Sequence, residues 1–338
     1  MKPRTQPPSP RAIATLALVC LTNGCASPEP GALQVPAEGF KLPATGLPRY
    51  EPDHGPRVAV DEAHFNYHTI GHRYRPFGDL LRRDGYRVAP FREAFSRGAL
   101  ENTDLLVISN ALSEEGQLEW SLPDDSAFTK EEIEALAEWV SEGGRLLLIA
   151  DHMPLPGHAA DLAEAFGVLF HDGFAFDPEG RGRITFSRAD VVDRVGLLAE
   201  HPITSAPGVE IPFVTTFMGQ AFRLRAGVDA APLMILPEGS RMLLPSVSWE
   251  FSERTPHIPA EGLLQGVVLK HGQGRVAVFG EAAAFTAQVR TDEDGVIEPM
   301  GMSHPTAPHN ARFVLNVVAW LVEGVASRPE TKRGHPVP

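Results

Sequence analysis

Leu146-Leu147-Leu148-Ile149 is an unbroken apolar run. A run this short and without alternation suits a strand covered on both faces, as at the centre of a parallel sheet. It stands directly behind the clearest helical signature in the chain. Thr129 and Glu132 form a capping-box pair, Ile133, Leu136, Ala137 and Val140 follow at helical spacing, and Gly143-Gly144 ends the pattern.

The same order recurs on either side. Val58-Ala59-Val60 reads as a strand ending at Asp61, followed by a helix face at Phe77, Leu80 and Leu81 that stops at Gly85. Tyr86-Arg87-Val88-Ala89 is halted by Pro90, and Leu105-Leu106-Val107-Ile108 ends in Ser109-Asn110. Beyond the central run, Pro154, Pro156 and Gly157 turn the chain into a stripe of Ala159, Leu162, Ala163 and Phe166. The stretch 167–265 is less regular, with short strand candidates at 183–186, 213–217 and 233–236. Two apolar runs around His271-Gly272-Gln273-Gly274 predict a hairpin, and Phe313, Val314, Val317, Val318 and Leu321 predict a closing helix. Strands alternating with helices predict an α/β fold: an open, mostly parallel sheet with helices on both faces. The predicted domain spans 56–323, with an irregular insertion around 170–265 and a flexible tail at 324–338.

The first residues read as an address. Lys2, Arg4 and Arg11 precede an apolar run over 12–21, too short to span a bilayer and proportioned like a signal peptide. Leu21-Thr22-Asn23-Gly24-Cys25-Ala26-Ser27 resembles a bacterial lipoprotein cleavage box, which implies a signal at 1–24 and a lipid on Cys25. An ordinary secretory signal cut near Ala26 is the plainer alternative. Ala26 after the cysteine implies sorting to the outer membrane, facing the periplasm of the cell envelope. Cleavage removes Cys20, leaves Cys25 as the last of two cysteines, and so excludes thiol chemistry. Residues 25–55, rich in Pro and Gly, read as a tether. A net charge of −13 argues against nucleic acid, whose affinity depends on clustered Lys and Arg. The partners this leaves are the membrane, through the N-terminal lipid, and a small molecule or glycan.

Val60-Asp61-Glu62-Ala63-His64, the run Gly143 to Ile149, the run Gly274 to Glu281, and Asn310, Asn316 and Trp320-Leu321 together carry a resemblance. They look like the glutamine-amidotransferase-like domains of the GldG and intraflagellar-transport type, found in bacterial lipoproteins. The resemblance implies a flavodoxin-like or class I glutamine-amidotransferase-like fold. It does not transfer amidotransferase activity, because Ala150-Asp151-His152-Met153 occupies the turn where such enzymes place their cysteine.

In open parallel sheets the ligand crevice lies beyond the carboxyl ends of the strands, so the residues just after each strand matter most. Those ends carry Asp61, His64 and Asn66, then Asn110, then Asp151 and His152, then Glu281 and, farther on, His309 and Asn310. Carboxylates with imidazoles equip a site for acid–base chemistry or for a divalent metal that activates water. Asp61, Glu281 and His152 are the candidate catalytic residues, and His64, Asp151 and His152 the candidate ligands of a metal such as Zn²⁺. Asn66, Asn110, His309 and Asn310 are candidate ligand-binding residues. His64, His68 and His72 are spaced by four, but Gly71 and Pro76 favour a loop there. Polar residues at strand ends also cap helices and satisfy loop backbone. Trp249 and Phe251 could form a sugar-stacking wall or ordinary core. Two functions follow: a hydrolase using the acid–histidine edge, with or without metal, or a non-catalytic glycan- or protein-binding domain of the GldG type.

Overall fold

The computed structural model describes residues 34–43, 46–189, 196–208, 210–291 and 296–325. The signal, Cys25 and the tail beyond 325 lie outside the described residues. Among those described, no helix is long and apolar enough to cross a membrane.

The chain forms a mixed α/β fold around one large sheet. Arg87–Phe91, Arg57–Asp61, Leu105–Ser109, Arg145–Ile149 and Gly274–Phe279 lie side by side in that order, all parallel. The apolar run 146–149 is fully buried, as its lack of alternation requires. Its odd and even residues enter two apolar clusters. Leu147 and Ile149 join Phe77, Leu81 and Phe313 in one, while Leu146 and Leu148 join Leu136, Val140 and Leu162 in the other. The helix Lys130–Ser141 begins at Thr129 with both halves of its capping box formed. The segment between Asp61 and the helix Arg75–Arg83 is a loop, and Pro76 opens that helix.

Past Gly274–Phe279 the direction changes, and the expectation of a mostly parallel sheet is corrected. Leu264–His271 pairs antiparallel with Gly274–Phe279 through the expected hairpin, whose Gly272 has a φ of 58° and passes too close to Ser141 O to admit a Cβ. Ala230–Ile235 then adds antiparallel, followed by Gly196–Leu198, Ile184–Ser187 and Phe213–Thr216. The insertion expected to be irregular therefore extends the sheet to twelve strands. Several of its strands are three or four residues long, below the length at which a period of two can be read.

The boundary of the tether also shifts. Gln34–Pro36 is a strand paired with Ala287–Thr291, which pairs in turn with Ile297–Gly301. Farther along, Tyr50 N donates to Asp84 O and Gly55 N to Gly85 O. Backbone bonds of this kind leave no apolar pattern, so a Pro/Gly-rich segment can dock without announcing it.

Candidate functional site

A cavity of about 260 Å³ opens beyond the carboxyl ends of Leu105–Ser109, Arg145–Ile149 and Gly274–Phe279. Its buried floor is built by the residues that follow those strands. Asn110 adopts a left-handed φ of 57°, which Asn tolerates better than most residues. Its side-chain oxygen accepts the Asp151 amide at 2.9 Å. The Asp151 carboxylate accepts the amides of His152 at 2.8 Å and Ala282 at 3.3 Å, which ties two strand-end loops together. Glu281 lies in the second loop and accepts the amides of Ala283 and Ala284 at 3.0 and 2.8 Å.

Both acids are removed from water, at 8% and 2% exposure. Burial pushes the Asp151 carboxyl up, against the His152 charge and the amides and Asn110 bonded to it. Burial pushes Glu281 well above its ordinary range, and the charge of Asp151 adds to the effect. Two like charges in one buried site resist joint ionisation. The pair therefore resists losing both protons together, and the stronger upward push falls on Glu281.

His152 stacks on Phe174 at 4.8 Å and meets the Trp249 ring at 4.7 Å. Its Nδ1 donates to Met153 O at 2.8 Å. His68 is also on the cavity, and burial holds its imidazole well below the usual range, so it is neutral. Tyr67, Trp120, Phe217 and Trp249 form aromatic walls, while exposed Arg183, Arg290 and Glu298 stand at the rim.

Of the residues proposed from sequence, Asn110, Asp151, His152 and Glu281 meet at this cavity. The others do not line it. Asp61 and His64 are buried in a separate cluster, where His64 Nδ1 lies 2.9 Å from Asp61 and Nε2 lies 3.0 Å from Glu132. Both ring nitrogens are engaged, so His64 cannot join Asp151 and His152 around a metal, and Asp61 cannot reach a cavity ligand. Among the described residues, no group of three or more His, Cys, Asp or Glu is placed to hold a metal ion. Asn66 is buried and donates to Ser109 O at 3.5 Å. Asn310 is bonded to both the N–H and the carbonyl of Thr215, at 3.1 and 2.8 Å, and His309 packs edge-on to Phe213 at 4.7 Å. These two hold the closing helix to a strand of the insertion.

A second, half-buried acid pair also lies off the cavity. Asp172 is pushed up to about 9 by burial and by neighbouring Asp124, with His158 3.8 Å from Asp124. The sequence pointed to neither this pair nor the rim arginines. Arg183 and Arg290 come from the insertion and the small sheet, and only the assembled fold brings them to the strand ends.

No protein-family profile matches the chain, and no curated protein matches it. Among solved structures, the mmIFT52 N-terminal domain matches with a TM-score of 0.52 at 12% identity, over 80% of this chain and 99% of that one. A ThuA-like protein from Bacteroides uniformis matches with a TM-score of 0.46 at 9% identity, over 80% and 93%. Cytoplasmic Protein STM3548 from Salmonella typhimurium matches with a TM-score of 0.45 at 14% identity, over 79% and 98%. The first likeness shows a shared fold and nothing of activity. The resemblance to the amidotransferase-like domains of the GldG and intraflagellar-transport type in a bacterial lipoprotein family is corrected: no family profile matches the chain, and the likeness to the mmIFT52 N-terminal domain, at 12% identity, shows a shared fold alone. Its quoted motifs are strand and helix signals, which many unrelated α/β chains share.

Proposed function

We propose that the chain hydrolyses a glycosidic bond in a small carbohydrate, with Glu281 as general acid and Asp151, assisted by His152, as the base that takes a proton from water. The supporting observation is a pair of buried carboxyl groups whose surroundings separate their proton affinities, on the floor of an aromatic-walled cavity. Carboxyls set apart in this way divide acid and base roles between them. Aromatic faces suit the apolar faces of sugar rings, and convergent polar groups in a pocket are the usual mark of a ligand site. Glu281 would protonate the leaving oxygen while water, losing a proton to Asp151, adds to the anomeric carbon. The two apolar clusters support the finer fold reading, in which helices cover both faces of the parallel half.

A non-catalytic carbohydrate-binding domain is the second reading. It is favoured by the four backbone amides that already occupy the two carboxyls. Titration with methyl glucoside, galactoside and mannoside should quench tryptophan fluorescence through Trp120 and Trp249. Incubation with the same glycosides should release methanol if the protein is catalytic. Quenching without methanol leaves the binding domain, and no response to these glycosides or to their uronic-acid counterparts removes the carbohydrate reading.

We also propose a lipid anchor at Cys25, placing the domain in the bacterial cell envelope on the outer membrane. The cleavage box supports it. Cys25→Ala should move the protein from the membrane fraction to the soluble fraction, and unchanged fractionation would defeat the proposal.

A further inference from the structure

The rim of the cavity holds a cation without a counter-charge. Arg183 lies just before the strand Ile184–Ser187, is exposed, and lines the cavity. Its guanidinium Nη1 lies 3.0 Å from His304 Nε2. His304 Nδ1 accepts the backbone N–H of Thr306 at 3.1 Å and lies 2.7 Å from the Thr306 hydroxyl. These contacts engage Nδ1 and turn Nε2 toward Arg183. Arg183 thus directs one guanidinium nitrogen at a neutral ring, which supplies no negative charge. Burial and the Arg183 charge hold His304 below its ordinary range, so the ring is neutral and carries no charge that Arg183 repels.

No carboxylate relieves Arg183: among the described residues it makes no ion pair. The other rim arginine, Arg290, has Glu298 at 3.6 Å. The arrangement is anchored, since His304 packs edge-on against Phe217 of the cavity wall at 5.2 Å. One guanidinium thus stands above the cavity with no carboxylate paired to it among the described residues, in a chain of net charge −13.

We infer that the ligand of this cavity is an acidic sugar whose carboxylate pairs with Arg183. The inference rests on the carbohydrate reading above. A carboxylate matches a single planar guanidinium in a two-bond fork. A phosphate dianion would bring a second charge toward Asp151 and Glu281 with no second free cation to meet it.

Calorimetric titration of the purified protein with methyl glucuronide and methyl glucoside, and with the galacto pair, tests this. The partners in each pair differ only in a carboxylate for a hydroxymethyl group. At least one uronide should bind about tenfold or more tightly than its neutral counterpart, the difference expected for a charge-assisted pair. Arg183→Gln should bring the two members of the pair within about twofold of each other, and Arg183→Lys should fall between. Equal affinities in the wild-type protein, or a uronide preference that survives Arg183→Gln, would overturn the inference and leave the carbohydrate reading standing. Binding of neither member of either pair would overturn both. Glucose 6-phosphate gaining as much from Arg183 as the uronide would overturn the carboxylate assignment.

Discussion

Glu281→Gln is expected to lower methanol release from a bound methyl glycoside by roughly 10²–10⁴-fold, the usual contribution of a positioned general acid. Glutamine keeps the shape of the side chain but has no proton to transfer. The deficit should shrink sharply on p-nitrophenyl glycosides, because nitrophenolate departs without protonation. A purely structural role for Glu281 would depress both substrates equally. The pH profile supplies a second readout. Glu281 acts while protonated and is raised by burial and by Asp151, so wild-type activity should fall as pH rises through that raised value. Asp151 acts while ionised and is also raised, so activity should climb as pH rises through its own raised value. The alkaline limb should disappear in the variant when the nitrophenyl substrate is used. Alkyl-glycoside turnover within about twofold of wild type would end the assignment of Glu281 as the acid.

His64→Ala is expected to cost about 3–5 kcal/mol of stability, read as a lower urea midpoint at unchanged slope. The imidazole lies between Asp61, at 0% exposure, and Glu132, at 8%. Removing it leaves two buried carboxylates facing a void lined by Phe95 and Phe128. The pH dependence has a definite sign. Burial works to lower the His64 value, but the bonds and charges of Asp61 and Glu132 overcome it and raise the value above 6.5. Its stabilisation is therefore complete below about 6.5 and is lost as pH rises through the raised folded value. Burial works to raise Glu132, but the amides of Thr129 and Phe95, the Thr129 hydroxyl and His64 bring it below 4.5. That contribution is present above about 4.5 and is lost as pH falls through the lowered value. The gap between wild type and His64→Ala should be widest between these limits and should narrow at higher pH. A gap that widens steadily toward alkaline pH would contradict the arrangement of charges around His64.

These two sites show why the rule about strand ends worked unevenly. Asp151 and Glu281 each lie two residues past the end of a parallel strand and accept amides of the strand-end loops, so their position is nearly implied by the end of the apolar run. Asp61 ends a strand in the same sheet, yet its carboxylate faces His64 instead of the cavity. The difference comes from Glu132. Its carboxylate closes the capping box with Thr129 and also accepts from the Phe95 amide, while meeting His64 from 68 residues away. The capping box could be read from four consecutive residues. That the same carboxylate would draw His64 out of the crevice could not.

The parallel strands, the capped helix, the hairpin at Gly272 and the closing helix were legible because each is set by neighbours within a few residues: apolar periodicity, a cap, a turn. The antiparallel extension, the docking of Gln34–Pro36, the burial of His64 and the arrival of Arg183 beside His304 arise from contacts between segments far apart in the chain. Pairing and charge matching over such separations depend on where the backbone has already been carried. They leave no local periodicity, so only the assembled molecule reveals them.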